Sequence, residues 1–479
     1  MTTQNQNIMK ILIAPDKFKG SLTSSQAAEA IREGIEEVAH HSAVGQSVPE
    51  SGGNRAQNLV EVQSVSEKDT LFARNTVVGE SVSNSAVSLE FRTVEIADGG
   101  DGSLEVLQKK IPGASVVEVM VHDPLGREAQ SQVLLYRMPS ASAGAEKVPN
   151  SSPEQTNVSV AAEKIPNSCP EEGALCAFIE MAKVSGLEML AAEERNPLKT
   201  STYGMGEAIM AAVAYGATQI TLSIGGSATN DGGAGMLQAL GYKFYNDSGV
   251  EIASPICGGD LRSVAEIKTP AADVRTGLGE NMQGIKFNVI CDVTNPLLGP
   301  QGATAVYGPQ KGADAQALLQ LEAGLANYAA AAERCLGVQP TQKEYPGAGA
   351  AGGVGYAGLA FLNAELIPGW RFFAQITGLE ESVQWADLVI TGEGSLDSQS
   401  LSGKVVSGVL NLATRYNKEV VIFCGVNKLA PDEMEAMAHS LPKGVSCYSI
   451  ASLGYPLDVC MNSAAELLQQ LAANLLKTV

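Results

Sequence analysis

The sequence predicts an α/β fold with mostly parallel sheets, and three observations carry that prediction. Fifty glycines cluster at the ends of short apolar runs, which is the turn punctuation of α/β chains. Strand, loop and helix recur in that order along the chain. Its 479 residues, 45% hydrophobic and 18% charged, provide cores for two to four domains, with two large ones fitting best.

The elements follow in order. Ile8–Ala14 reads as a buried strand, and Pro15–Leu22 as the loop after it. A helix begins near Ser24, with Ser or Thr as its cap and Glu29, Ile31 and Ile35 continuing it. Strand Gln219–Ile224 runs through Gly225–Gly233 into helix Ala234–Leu240. Strand Phe287–Cys291 leads through Asp292–Gly312 into a long helix from Asp314 to Cys335. Strand Asp387–Thr391 precedes the loop Gly392–Gly403 and a helix through Thr414, and strand Val420–Phe423 follows. In such folds the functional loops lie at the carboxyl ends of the strands.

Two stretches break the pattern. Residues 41–88 are polar without a sustained period. Residues 139–172 contain a small duplication, AEKVPNSSPE at 145–154 and AEKIPNSCPE at 162–171. Two prolines per copy, with Asn and Ser, predict solvated surface insertions, which chains tolerate at low entropic cost.

Charge and cysteine usage exclude several functions. With 32 basic and 52 acidic residues the net charge is −20, and no Lys/Arg run is present to contact nucleic-acid phosphates or an anionic membrane. Eight scattered cysteines with no C-x-x-C, and four histidines, argue against structural zinc or a disulfide framework. No secretory signal or bilayer-spanning run is legible, so a cytoplasmic protein is expected. The sequence leaves a homo-oligomer open.

The strand-end loops share glycine, carboxylate, hydroxyl and sometimes lysine. Ala14–Leu22 carries Asp16, Lys17, Lys19 and Ser21; Ile96–Ser103 carries Asp98 and Asp101. Ile224–Gly235 carries Ser227, Thr229, Asn230 and Asp231; Thr391–Asp397 carries Glu393 and Asp397, with Lys404 beyond. Glycine lets backbone N–H groups converge on a phosphate at a helix start. Neighbouring carboxylates supply the oxygen ligands that Mg²⁺ takes while it bridges phosphates. Walker A fails, because Ser398 stands at its first glycine position and Val405 follows Gly403–Lys404. The text match to a dinucleotide fingerprint at Gly347–Gly352 lacks a preceding strand and a following acidic residue, which also removes an NAD-dependent oxidoreductase reading.

Seven strings together resemble the bacterial glycerate kinase family, the type I glycerate 2-kinases: APDKFKGSL (14–22), ADGGDG (97–102), ERNPLKTSTYGMGE (194–207), GGSATNDGGAGML (225–237), CDVTNPLLGPQGATAVYGPQKGA (291–313), PGAGAAGGVGYAGLAFL (346–362) and LVITGEGSLD (388–397). The resemblance runs in order from about Ile8 to the C-terminus, missing only the two insertions. It departs at Asp101, where the family has Glu, and at Ser395 and Ser402, where Arg and His are frequent. It implies ATP-dependent phosphorylation of glycerate. It also implies two α/β domains with the active site in the cleft between them, one Rossmann- or flavodoxin-like. On this chain that one is placed at 8–97 plus 288–479, and the inserted domain at 98–287.

Roles follow from that activity. Lys17 or Lys19 suits the glycerate carboxylate or the transferred phosphate. Asp16, Asp98 and Asp292 at strand ends suit a base or a metal ligand, with helix capping as the competing role. Lys311 and Lys404, with Ser21, Ser227, Thr229 and Asn230, suit phosphate or substrate contact, and Arg195 and Lys199 the carboxylate. Asp231, Glu393 and Asp397 are expected to hold Mg²⁺, with hydroxyl activation the other reading of Glu393 and Asp397. The expected reaction is D-glycerate + ATP giving 2-phosphoglycerate + ADP. The alternatives are 3-phosphoglycerate as product, or a non-catalytic sugar-acid-binding protein.

Overall fold

The computed structural model describes residues 8–44, 88–96, 102–137, 173–270, 284–337, 340–398, 400–401, 404–441 and 443–475. The insertion expected at 139–172 lies outside the described residues. Of the one expected at 41–88, residues 41–44 complete a helix, Ser88 opens a strand, and the rest lie outside. The chain divides into two compact units, Met1–Ala97 with Phe373–Val479, and Asp98–Phe372.

The first unit opens with strand β1 (Ile8–Ile13), helix α1 (Ser24–Val44) and strand β2 (Ser88–Thr93). β1 and β2 pair in parallel from Ile8↔Ser88 to Ile13↔Thr93. The chain then enters the second unit.

That unit begins with α2 (Ser103–Lys110), β3 (Ser115–His122), β4 (Glu128–Arg137) and β5 (Leu175–Glu180). It continues with α3 (Tyr203–Ala214), β6 (Gln219–Ser223), α4 (Ala234–Ala239), β7 (Lys243–Tyr245), β8 (Glu266–Lys268) and β9 (Lys286–Ile290). Helices α5 (Ala303–Tyr307), α6 (Ala315–Leu336) and α7 (Val354–Phe361), strand β10 (Glu365–Ile367) and helix α8 (Gly369–Thr377) complete it, α8 running across the boundary. Six strands form one sheet in the order β10-β9-β6-β5-β4-β3. The first four are mutually parallel, and β4 and β3 are antiparallel. Ile220, Leu222 and Val289 are fully buried in a core shared with α3, α4, α6 and α7.

The expected return of the chain to its first domain at residue 288 is corrected. β9 pairs with β6 in register, Phe287↔Ile220 and Val289↔Leu222. α6, capped by the Asp314 carboxylate on the Ala317 N–H at 2.8 Å, packs Leu325, Tyr328 and Ala332 into the same core. Burial against that sheet keeps the segment in the second unit until Phe373.

Back in the first unit come β11 (Leu388–Leu396), α9 (Val405–Arg415), β12 (Glu419–Asn427), β13 (Val445–Ser449) and α10 (Ala464–Leu475). Its five strands are all parallel, ordered β13-β12-β11-β1-β2. Counted within the unit this is the flavodoxin-like order 2-1-3-4-5, with the strand direction of winding reversing between β1 and β11. One face of the sheet packs Ile11, Ile13 and Phe423 against α1 and α10; the other packs Ile422 and Cys424 against α9. Among the described residues no helix is long and apolar enough to cross a membrane.

Candidate active site

In the second unit the chemistry gathers where β6 and β9 end. A cavity of about 350 Å³ is lined by Leu187, Gly225, Gly226, Ser227, Asp292 and Lys311, with Tyr307, Ala350 and Ala351 among its further walls. The Gly225–Ala228 loop is pinned in place: Leu187 N–H donates to the Gly226 carbonyl at 2.8 Å, and Ala228 N–H to Ser185 at 2.9 Å. Ala351 carries a φ of 53°, a left-handed conformation that costs a residue with a Cβ about 1–2 kcal/mol. Such strain concentrates where function fixes the backbone.

Lys311 is the unusual group. Its side chain is only 1% exposed, and its ammonium donates to the Thr229 carbonyl at 2.6 Å. Burial pulls its pKa down to about 7, against the opposing pull of Asp231. Its position is enforced by Gly312, whose φ of 92° turns the chain tightly over the Arg195 carbonyl; a Cβ there would meet that oxygen at 2.1 Å. Arg195 thus abuts the Lys311 segment through its backbone without lining the cavity, and its Nη2 lies 3.5 Å from Glu188. Lys199 is exposed.

Thr229 and Asn230 are fully buried and do not line the cavity. Asn230 Nδ2 donates to Thr304 at 3.1 Å; among the described residues Thr229 Oγ1 and Asn230 Oδ1 have no hydrogen-bond partner. Asp231 departs from its expected role as a metal ligand. Its fully buried carboxylate accepts from Thr202 N and Oγ1, both at 2.7 Å, from Gly233 N at 3.1 Å and from Gly235 N at 3.2 Å. Four donors occupy both oxygens at the start of α4, so this carboxylate holds the glycine loop to the Thr202 segment. Burial raises its pKa. Asp292 lines the cavity, and its carboxylate also accepts from Gly369 N at 2.7 Å, the first N–H of α8.

In the first unit, the loops after β1 and β11 flank the point where the strand order reverses. They are tied directly, Asp16 N–H donating to the Gly392 carbonyl at 2.7 Å and Thr391 Oγ1 to the Ala14 carbonyl at 2.9 Å. Asp16 is buried and accepts from Lys17 N at 2.7 Å; Lys17 is half-buried and Lys19 exposed. Ser21 closes its own turn by donating to the Phe18 carbonyl at 3.0 Å.

Glu393 lies within β11, not in a turn after it. The strand expected to stop at Thr391 continues to Leu396, pairing Glu393↔Cys424 and Leu396↔Asn427. The Glu393 side chain is buried and its Oε1 has no hydrogen-bond partner among the described residues. Burial pushes its pKa up, and Asp397 pushes the same way; Ser400 and Lys404 pull down. Asp397 is locked to its turn, its N–H accepted by Ser400 Oγ at 3.0 Å and its Oδ1 accepting from Ser400 N at 3.2 Å. Lys404 stands at the start of α9 in extended conformation. Asp98 lies outside the described residues.

The glycerate kinase family model matches residues 11–63 and 68–479. The chain belongs to the glycerate kinase family. Membership makes it a phosphotransferase acting on an alcohol group. It is 34% identical over 471 residues to "Glycerate kinase" of Bacillus subtilis, with 98% of both chains covered. It is 37% identical over 417 residues to "Glycerate 2-kinase" of Escherichia coli K12, covering 87% of this chain and 85% of that one. A solved structure from Salmonella typhimurium LT2, described as a candidate glycerate kinase 2, superposes with a TM-score of 0.65 at 33% identity, covering 98% of each chain.

Two features of this glycerate kinase family member escape a reading of its sequence. Glu180, at the end of β5, is buried and accepts from Gly102 N at 2.8 Å and Leu104 N at 3.2 Å, capping α2 from 76 and 78 residues away. Burial raises it to about 7. The Gly347–Gly352 string, set aside as a dinucleotide fingerprint, furnishes Ala350 and Ala351 to the cavity wall. Its run of glycines was the available signal; its place beside β9 was not readable.

Proposed function

We propose that this chain transfers the γ-phosphoryl group of ATP to the C2 hydroxyl of D-glycerate, giving 2-phosphoglycerate and ADP. The observation that carries the reading is Lys311: a buried lysine, without a carboxylate partner among the described residues, lining a glycine-walled cavity at the strand ends. A buried charge is costly unless paired, and an anionic substrate group supplies the pair. Both substrates carry such groups, the carboxylate of glycerate and the phosphates of ATP.

The residues divide by chemistry. Ser227 and the Gly225–Gly226 backbone offer donors to the anion that Lys311 neutralises. Glu393 and Asp397 fit Mg²⁺: both offer oxygen, and the buried Glu393 Oε1 has no partner among the described residues. Among the described residues no three His, Cys, Asp or Glu side chains form a metal cage, which Mg²⁺ does not require, since one or two carboxylates and the nucleotide phosphates suffice. When bound, the ion supplies positive charge to the phosphates. In the transfer a bond forms from the C2 oxygen to γ-phosphorus and the bond to the bridging oxygen of ADP breaks, so the hydroxyl proton needs an acceptor. Asp16, across the switch point from Glu393, is assigned that proton. Lys17 and Lys404 are assigned the offset of charge on the transferred group.

The test is ADP release by purified protein. It is expected only with D-glycerate, ATP and a divalent cation all present, and chelation with EDTA should abolish it. Folded protein that releases no glycerate-stimulated ADP would sink the reading and favour a sugar-acid-binding protein.

A further inference from the structure

Lys311 sits where an ammonium is poorly solvated. Its one hydrogen bond goes to a neutral carbonyl, and no other partner is found among the described residues. Among the described residues no carboxylate pairs with it directly, and the pull of Asp231 only partly offsets its burial. Asp231 is saturated by its four donors. Cys291 and Tyr307, on the cavity wall, are held protonated by burial, Cys291 pushed up to about 11. Asp292 on the same wall is engaged with the first N–H of α8. Arg195 meets Gly312 through its backbone, and its guanidinium Nη2 lies 3.5 Å from Glu188. Desolvation in that setting favours the neutral amine, and Lys311 titrates at about 7.

We propose that this cavity is a proton-coupled oxyanion site: a carboxylate or phosphate oxygen entering it supplies the countercharge that Lys311 lacks, and Lys311 Nζ takes up one proton as the ligand binds. The inference rests on the reading that the cavity receives an anionic group of the substrates. The balance is free site plus anion plus H⁺ giving the complex; an N–H bond forms on the neutral amine and the buffer acid gives up the proton. The sign follows. A ligand that favours the ammonium binds most tightly below the free Lys311 pKa and weakens as pH rises above it.

The experiment is titration calorimetry at pH 8 in buffers of different ionisation enthalpy, with D-glycerate alone and ADP alone. The acidic groups of both ligands are ionised there, whereas roughly nine-tenths of Lys311 is neutral. The ligand whose oxygen enters the cavity should take up about 0.9 proton per site and the other about none, which tells carboxylate from phosphate. Its Kd should rise about tenfold from pH 8 to pH 9. Lys311→Arg keeps the charge without titrating, so it should bind with no uptake and a flat pH profile; Lys311→Met should show no uptake at whatever affinity remains. Binding of both ligands to wild-type protein without uptake overturns the coupling and leaves the kinase reading standing. Uptake that persists in either variant also overturns it. Failure of both ligands to bind overturns the proposal and the kinase reading together.

Discussion

Lys311→Met is expected to lower kcat/KM at least about 10²-fold while leaving the melting temperature within a few degrees of wild type. Removing one preorganised donor from developing charge in an active site costs about 10²–10³ in rate. The stability side nearly cancels. The substitution removes a buried ionisable group with no carboxylate partner among the described residues, a change that is often neutral or stabilising. Against that, it strips the Thr229 carbonyl of its 2.6 Å donor, which costs about 1–3 kcal/mol. Steady-state kinetics and a thermal melt on the same preparation check both halves. A variant that melts normally and turns over at the wild-type rate would remove Lys311 from the chemistry.

Glu393→Gln should lower kcat by about 10²-fold, again without loss of fold. The side chain is buried in β11 with an oxygen that has no partner among the described residues, and Asp397 raises its pKa further by like-charge repulsion. Losing the charge relieves both costs, so the variant should melt at or above the wild-type temperature. If Glu393 holds Mg²⁺, the loss in kcat should be accompanied by a raised requirement for the ion, measured as the Mg²⁺ concentration at half-maximal rate. Asp397→Asn should show a similar kinetic direction with some loss of stability, because Asp397 Oδ1 also accepts from Ser400 N at 3.2 Å. Near wild-type turnover in both would move the metal elsewhere.

Much of the fold was legible because its signals are local. Buried parallel strands read as apolar runs, and those at 219–224, 287–291 and 420–423 fall on β6, β9 and β12. The long helix expected from Asp314 starts at Ala315, with Asp314 as its cap. Sheet membership was not legible: Phe287–Cys291 looks the same whichever sheet it joins, and pairing with Gln219–Ser223 is a fact of distance. The length of β11 was hidden for a related reason. Glycines at 392 and 394 read as a turn, yet each lies against backbone, Phe423 O for one and Phe18–Lys19 for the other, where a Cβ would crowd. The candidate residues were picked by composition, and composition cannot tell an engaged carboxylate from an open one. Asp231 and Glu393 both follow a strand core among glycines. Only the four donors converging from Thr202 and the α4 start separate the loop-holding Asp231 from Glu393.

The most direct measurement is phosphorus NMR of the product formed from D-glycerate and ATP with Mg²⁺. A phosphate ester on C2 neighbours one carbon-bound proton and appears as a doublet; on C3 it neighbours two and appears as a triplet. A doublet growing in step with ADP is the predicted result. A triplet would contradict the regiochemistry, and the absence of any phosphorylated glycerate would contradict the account at its centre.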